Sequence, residues 1–396
     1  MRTVVTGAWL WDGTGLTRNP ILEISDRRVT GIWSSSDREI PANALHVDYP
    51  GATLAPAFLD VHIHGAAGRD VMDATPEALA VVSQFLATRG TGNFLATTVT
   101  APMDVTLRSL EGLSKRIDDA QSSDWQGAKP LGIHLEGPFL SHAKRGVHPP
   151  EYLLAPDIAT FDRFFEAAQG KIRLMTLAPE LPAAVELATH ATDLGVRISV
   201  GHSNATAAET RKAIAAGATS ATHTFNAMRA LDHREPGILG TVLTTDSLYA
   251  ELICDGIHVD PSLIPLWWRA KGGKRAILVT DAMSATGMPD GEYTLGGFAV
   301  TVANGRATAK DSPGVLAGSV LTLDRALTNF IAYTGVSVAE ALPLLTHNPA
   351  AMSGLAESAG AIRVGSAADF VAVGDDGGLV ASIIGGQVQS ASSAAK

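Results

Sequence analysis

The sequence predicts an α/β protein built on a TIM-like (β/α)8 barrel, with a small β unit made from both chain ends. Three observations carry this. Six polar residues each close a short apolar run: His62 and His64 in LDVHIHG, Glu136 in LGIHLEG, His202 in RISVGHS, His223 in SATHTFN and Asp281 in AILVTDA. From Leu54 onward, strand-like and helix-like segments alternate through eight strands. Residues 1–53 and 351–396 carry β patterns without helices between them. The 396 residues leave room for a barrel of about 250 residues or more and a companion. The expected division is a small β domain from 1–53 and 351–396, flanking a barrel over 54–350.

Residues 2–10, 20–33 and 45–50 read as strands, with turns over 13–19 and at Asp26-Arg27. Barrel strand one is the apolar run 54–61 leading into the histidine pair. A helix over 76–89 starts with Thr75 as cap and Pro76 in its first turn, and stops at Gly90. Strand two is 93–99, a polar helix covers 103–118, and strand three is 130–136. The Gly, His and Pro content of 141–157 predicts a long loop before a helix at 158–169. Strand four is 172–178, a helix covers 181–194, and strand five is 196–201. Thr206 and Glu209 form a capping-box pattern for a helix ending at Gly217. Strand six is 219–224, followed by HREPG and a short ILGTVL stretch. Strand seven is 250–254, a helix covers 260–271, and strand eight is 276–280. A turn-rich β insertion follows from 282, then helices at 319–333 and 337–345, the second with a Ser337/Glu340 box. FVAVGD and LVASIIGGQVQ return to strands, and the tail SASSAAK is expected to be disordered.

Net charge is −10, which argues against a general nucleic-acid surface. It does not argue against a small anionic substrate, because a local Arg/His pocket binds phosphate on an acidic protein. The single cysteine, Cys254, permits no intrachain disulfide and reads as a buried structural thiol in a reducing compartment. The N-terminus lacks the long apolar region of a signal peptide, and no run reaches the ~18 apolar residues that span a bilayer. A cytoplasmic location and no membrane partner are the expectation. There is no GxxxxGK[ST] or GxGxxG loop, and TLGGF reads as a β-turn.

Polar groups at successive strand ends converge on one face of a closed barrel. Residues i and i+2 of a strand point the same way, so His62 and His64 project together as a metal clamp or as two hydrogen-bonded histidines. A carboxylate at Glu136 is costly to bury without a partner, and a metal shared with His202 and His223 supplies one. Asp281, across the closure from the first strand, suits metal binding or general base and acid work beside an activated water. His148, Arg234 and His258 sit on later loops. Arg234 suits either a phosphate grip or a surface ion pair with Glu235 or Asp232. His142, His233 and His347 have no assigned role.

The phrases PAFLDVHIHG, HLEGPF, KRGVH, VGHSNA, THTFNAM, REPG, DGIHVD, LVTDAM and LAGS together resemble the N-acetylglucosamine-6-phosphate deacetylase branch of the amidohydrolase superfamily. The resemblance runs over nearly the whole chain. It implies a TIM-like barrel with a small β-sandwich from both ends, and hydrolysis of the 2-acetamido group to glucosamine 6-phosphate and acetate. Carried onto this chain, it implies a main metal on Glu136, His202 and His223, with Asp281 as base and acid. His148 would hold and polarise the carbonyl. Arg234, His258 and the backbone amides at Asn226 and Ala227 would bind the sugar phosphate. Members are typically homodimers with an arginine reaching in from the neighbour, which gives Arg234 a role in trans. Some members lack the first-strand histidines; this chain keeps both, so a second metal on His62 and His64 with Glu136 bridging is implied. The ligand set suits zinc foremost, and also iron or another divalent ion. Three alternatives stand beside this reading: the N-acetylgalactosamine 6-phosphate isomer as substrate, an unphosphorylated amide, and a non-catalytic sugar-phosphate-binding barrel.

Overall fold

Strand ends and helix starts alternate around a ring in the computed structural model, which describes residues 2–122 and 124–389. The tail SASSAAK lies outside the described residues. The eight barrel strands are Phe58–Ile63, Thr91–Thr98, Lys129–Glu136, Ile172–Leu177, Arg197–Val200, Ala218–Ala221, Tyr249–Ile253 and Ala276–Val279. Each runs parallel to the next. A helix follows every strand, from Pro76–Thr88 after the first to Leu323–Thr334 after the eighth. Strands one and eight close the ring through a short clamp rather than a long ladder. The Asp281 N–H donates to His62 O (2.9 Å), and the His64 N–H donates to Ala282 O (2.8 Å). Thr280 Oγ1 donates to the buried Asp60 carboxylate at 2.5 Å.

Local signals set most of these elements. Thr75 caps Pro76–Thr88 by accepting from the Ala78 N–H, and both capping boxes are formed, at Thr206/Glu209 and Ser337/Glu340. Three differences from the sequence reading have identifiable physical causes. ILGTVL lies within a helix, Gly237–Thr244, buried over residues 237–243. A helix apolar on every side carries no 3.6-residue alternation to read. The helix expected over 319–333 begins at Leu323, because Ser319 lies alongside strand eight. There the Ser319 N–H donates to Asp281 O (2.7 Å) and Oγ to Thr280 O (2.6 Å). The helix expected over 337–345 is α-helical only through Ala341; Pro343 lacks an N–H, and residues 342–344 tighten to a 3-10 turn.

The chain ends meet in a second eight-stranded sheet. Its path runs Gln387–Val388, Leu379–Ile384, Phe370–Val373, Leu45–Pro56, Thr3–Trp11, Pro20–Ser25 and Arg28–Ser34, with Leu16–Arg18 on the edge of Thr3–Trp11. Leu10, Leu22, Leu54 and Phe370 are among its fully buried residues. The insertion after strand eight forms a three-stranded sheet, Gly291–Leu295, Phe298–Ala303 and Arg306–Ala309. Its apolar face packs on Val99 and Met283, which sets Leu295 over the barrel mouth. No helix among the described residues is long and apolar enough to cross a membrane.

Candidate metal centre and active site

The six polar strand ends meet. Glu136 Oε1 lies 3.4 Å from His62 Nε2, 3.3 Å from His202 Nε2 and 3.2 Å from His223 Nε2. Its Oε2 lies 3.3 Å from His64 Nε2 and 3.7 Å from His148 Nε2. Asp281 Oδ1 is 3.0 Å from His64 Nε2 and 3.4 Å from His62 Nε2. His202 and His223 bring their Nε2 atoms to 3.1 Å. All seven residues are buried.

The backbone explains how three of these groups reach the centre. His202, His223 and Asp281 lie just past their strands with φ of 45°, 25° and 50°. Left-handed backbone is uncommon for residues other than glycine and tends to gather at functional sites. His62 and Glu136 instead lie within their strands, His62 where the pairing to strand two shifts register, and His64 follows directly after the first.

The tautomers are fixed from behind. His62 Nδ1–H donates to Glu251 Oε2 (3.2 Å), His64 Nδ1–H to Thr97 O (3.1 Å) and His202 Nδ1–H to Lys144 O (2.9 Å). Each bond turns Nε2 toward the common centre, where its lone pair is the one a metal would take in place of the Nε2 proton. The buried His62 Nε2 has no hydrogen-bond partner. Two ligand atoms about 2.1 Å from a tetrahedral zinc ion lie about 3.4 Å apart. The 3.1–3.3 Å separations among Glu136 Oε1, His202 and His223 are close to that spacing. Two overlapping clusters, His62/His64/Glu136 and Glu136/His148/His202, have ligand atoms close enough for metal binding. The donor set therefore fits one or two divalent ions.

The electrostatics divide the site. Burial disfavours charge on His62, but Glu136 and Asp281 override it and push the imidazole well above its ordinary value. His64 is likewise pushed up to about 9, against burial, by its bonds to Asp281 and Glu136. Burial would raise Glu136 and Asp281, yet the neighbouring histidines hold both below the usual carboxylate range. His148 goes the other way: burial pushes it down to about 4. Its Nδ1 accepts from the Thr100 N–H (3.3 Å) and lies 2.9 Å from Thr100 Oγ1. The neutral ring thus carries its proton on Nε2, facing the centre.

A cavity of about 390 Å3 opens onto this cluster, lined by His64, Glu136, His148, His202, His223 and Asp281. Asn226, Ala227 and His258 also line it, with Lys144 and an apolar wall including Val99, Val147, Leu295, Val315 and Leu316. His258 Nδ1–H donates to Asp255 Oδ2 (2.7 Å). The Asn226 N–H (3.0 Å) and its Nδ2–H (3.4 Å) are both donated to His223 O, so that among the described residues the Ala227 N–H and the Asn226 Oδ1 are left to face a ligand. Arg234 stands apart: it is exposed, outside the cavity lining, and among the described residues its side chain makes no ion pair with Asp232 or Glu235. Cys254 is a buried free thiol.

Several supporting residues escaped the sequence reading. Asp60 precedes His62 by two residues and shares its strand face. It accepts from the His62 N–H (3.2 Å), and burial pushes its carboxyl up to about 7. Glu251 is the one acidic residue in the apolar run YAELIC, a signal available but unread. Lys144 is the first residue of KRGVH, while Thr97 and Thr100 lie among ordinary threonines and left no readable mark.

The Amidohydrolase family model matches residues 53–388. The chain is 40% identical over 364 residues to an N-acetylgalactosamine-6-phosphate deacetylase of Escherichia coli O157:H7, covering 92% of this chain and 94% of the relative. It is 37% identical over 372 residues to the N-acetylglucosamine-6-phosphate deacetylase of Bacillus subtilis (strain 168), covering 94% and 93%. Its fold matches a mutant N-acetyl-D-glucosamine-6-phosphate deacetylase from Mycobacterium smegmatis in complex with N-acetyl-D-glucosamine-6-phosphate. That match has a TM-score of 0.91 and 33% identity, over 98% of this chain and 100% of the other.

Proposed function

The chain belongs to the amidohydrolase family, and we propose that it hydrolyses the acetamide of N-acetyl-D-glucosamine 6-phosphate to D-glucosamine 6-phosphate and acetate. The observation that carries this reading is the convergence of Glu136, His202 and His223 at 3.1–3.3 Å, with Asp281 beside them, at the foot of a cavity sized for a small ligand. A divalent ion on these ligands, zinc in our reading, supplies Lewis acidity and lowers the pKa of water. His62 and His64 would hold a second ion, with Glu136 shared.

The remaining chemistry falls to the protein's own side chains. Asp281, held ionised by its histidine neighbours, takes a proton from the attacking water. The neutral His148 donates its Nε2–H to the acetamide oxygen as negative charge builds there. The C–N bond then breaks as Asp281 passes its proton to the leaving amine. The apolar wall suits the acetyl methyl. Ala227, Asn226 and His258 hold the sugar phosphate, and Lys144 adds a cation to the same cavity. Arg234, exposed and outside its own cavity, is available to a neighbouring subunit of a homodimer.

The Escherichia coli relative favours a second reading, the galactosamine epimer as substrate. Acetate release from both N-acetylhexosamine 6-phosphates and from unphosphorylated N-acetylglucosamine, on protein of measured metal content, separates the two. Fastest turnover on the glucosamine phosphate is expected. Preference for the galacto epimer would overturn the epimer assignment, and no release from either phosphate would overturn the deacetylase reading.

A further inference from the structure

The interior of a barrel strand ordinarily packs aliphatic side chains. Glu251, on strand seven (Tyr249–Ile253), is a carboxylate with no exposure to solvent. Burying an unpaired carboxylate is unfavourable, so its partners are informative. Among the described residues no lysine or arginine pairs with it; its one charge-bearing partner is His62. A single oxygen, Oε2, receives both of its side-chain hydrogen bonds, from His62 Nδ1–H (3.2 Å) and from the His223 backbone N–H (3.1 Å). The other oxygen, Oε1, has no hydrogen-bond partner. Its own carbonyl accepts from the Thr224 N–H (2.8 Å), which fixes the chain on the far side of His223.

We propose that Glu251 is the positioning residue of the His62/His64 metal site, and that it ties this site to the principal one. This rests on the reading of the histidines as metal ligands. By accepting from Nδ1, Glu251 turns the His62 Nε2 lone pair toward Glu136 and raises its basicity as a ligand. The positive charge of an ion on His62 would offset a carboxylate that, among the described residues, no lysine or arginine pairs with. The same oxygen holds the backbone of His223 at φ 25°, so the first-strand ligand and a principal ligand share one anchor.

The test is Glu251→Gln, close in shape and without the charge, prepared as the full-length zinc-loaded protein. Zinc per subunit is measured by elemental analysis after dialysis against graded free Zn2+. The wild type is expected to hold two equivalents. The variant is expected to keep the first and to bind the second at least about tenfold more weakly. Two equivalents bound with unchanged affinity in the variant would overturn the proposal while leaving the deacetylase reading intact. A wild type without zinc would instead overturn the ligand reading itself. Should the variant not fold, 15N-histidine NMR of the zinc-loaded wild type decides. His62 is expected to carry its proton on Nδ1 and the metal on Nε2, and the reverse arrangement overturns the proposal.

Discussion

The two flanks of Glu136 offer the same imidazoles to the same carboxylate and treat them in opposite ways. On the first-strand flank, His64 is pushed up to about 9; on the loop flank, His148 is pushed down to about 4. Burial disfavours charge on both. The difference is that Asp281 stands 3.0 Å from His64, whereas His148 sits against His202 and takes an N–H from Thr100. Positive charge therefore collects where two carboxylates meet, and the loop flank keeps a neutral hydrogen-bond donor. The comparison breaks most severely at Asp281. Asp281→Asn keeps a residue that tolerates the left-handed backbone. We expect kcat to fall about 1000-fold with metal content and folding retained. Wild-type turnover in that variant would remove Asp281 from proton transfer.

The ligands themselves are the next test. His202→Asn is expected to cost the principal ion and at least about 100-fold in activity, whereas His64→Asn is expected to cost one equivalent and about tenfold. Metal analysis alongside acetate release distinguishes them. Equal losses of metal and turnover in the two variants would mean that the flanks act as one site.

Removing the metal gives a smaller effect with a definite sign. The folded-state value for His64, about 9, lies above its unfolded value near 6.5. The metal-free folded protein thus holds this proton more tightly than the unfolded chain. The resulting stability is fully present below pH 6.5 and is lost as pH rises through 9. Chelated protein should therefore melt lower by a few degrees at pH 9 than at pH 6.5, with a flatter profile in His64→Asn. An equally steep profile in the variant would assign the effect to other groups.

Most of this site was legible because its signals are local. A polar residue after an apolar run marks a strand end, and a closed ring brings such ends together, so the sequence alone points Glu136, His202, His223 and Asp281 at one face of the barrel. Capping boxes at Thr206 and Ser337 were legible for the same reason. What stayed hidden depends on contacts between distant segments. Ser319 leaves its expected helix only because strand eight offers Thr280 O and Asp281 O as acceptors. The Glu251 carboxylate gains meaning only when strands one and six meet it. Arg234 marks the opposite limit: its motif was readable, but the residue lies outside its own chain's cavity.

Thr100 sharpens the comparison on its quiet side. Its N–H and hydroxyl both face His148 Nδ1, so the hydroxyl reinforces a tautomer that the backbone already sets. Thr100→Val keeps the shape and the N–H and deletes one hydrogen bond of about 1 kcal/mol. We expect kcat to fall about fivefold, with KM and metal content unchanged, because the imidazole stays neutral and loses only part of its orientation. A loss of metal would place Thr100 among the supports of the ligand cluster instead. An unchanged kcat would show that the backbone N–H alone orients His148, leaving the loop flank of Glu136 held entirely by main chain.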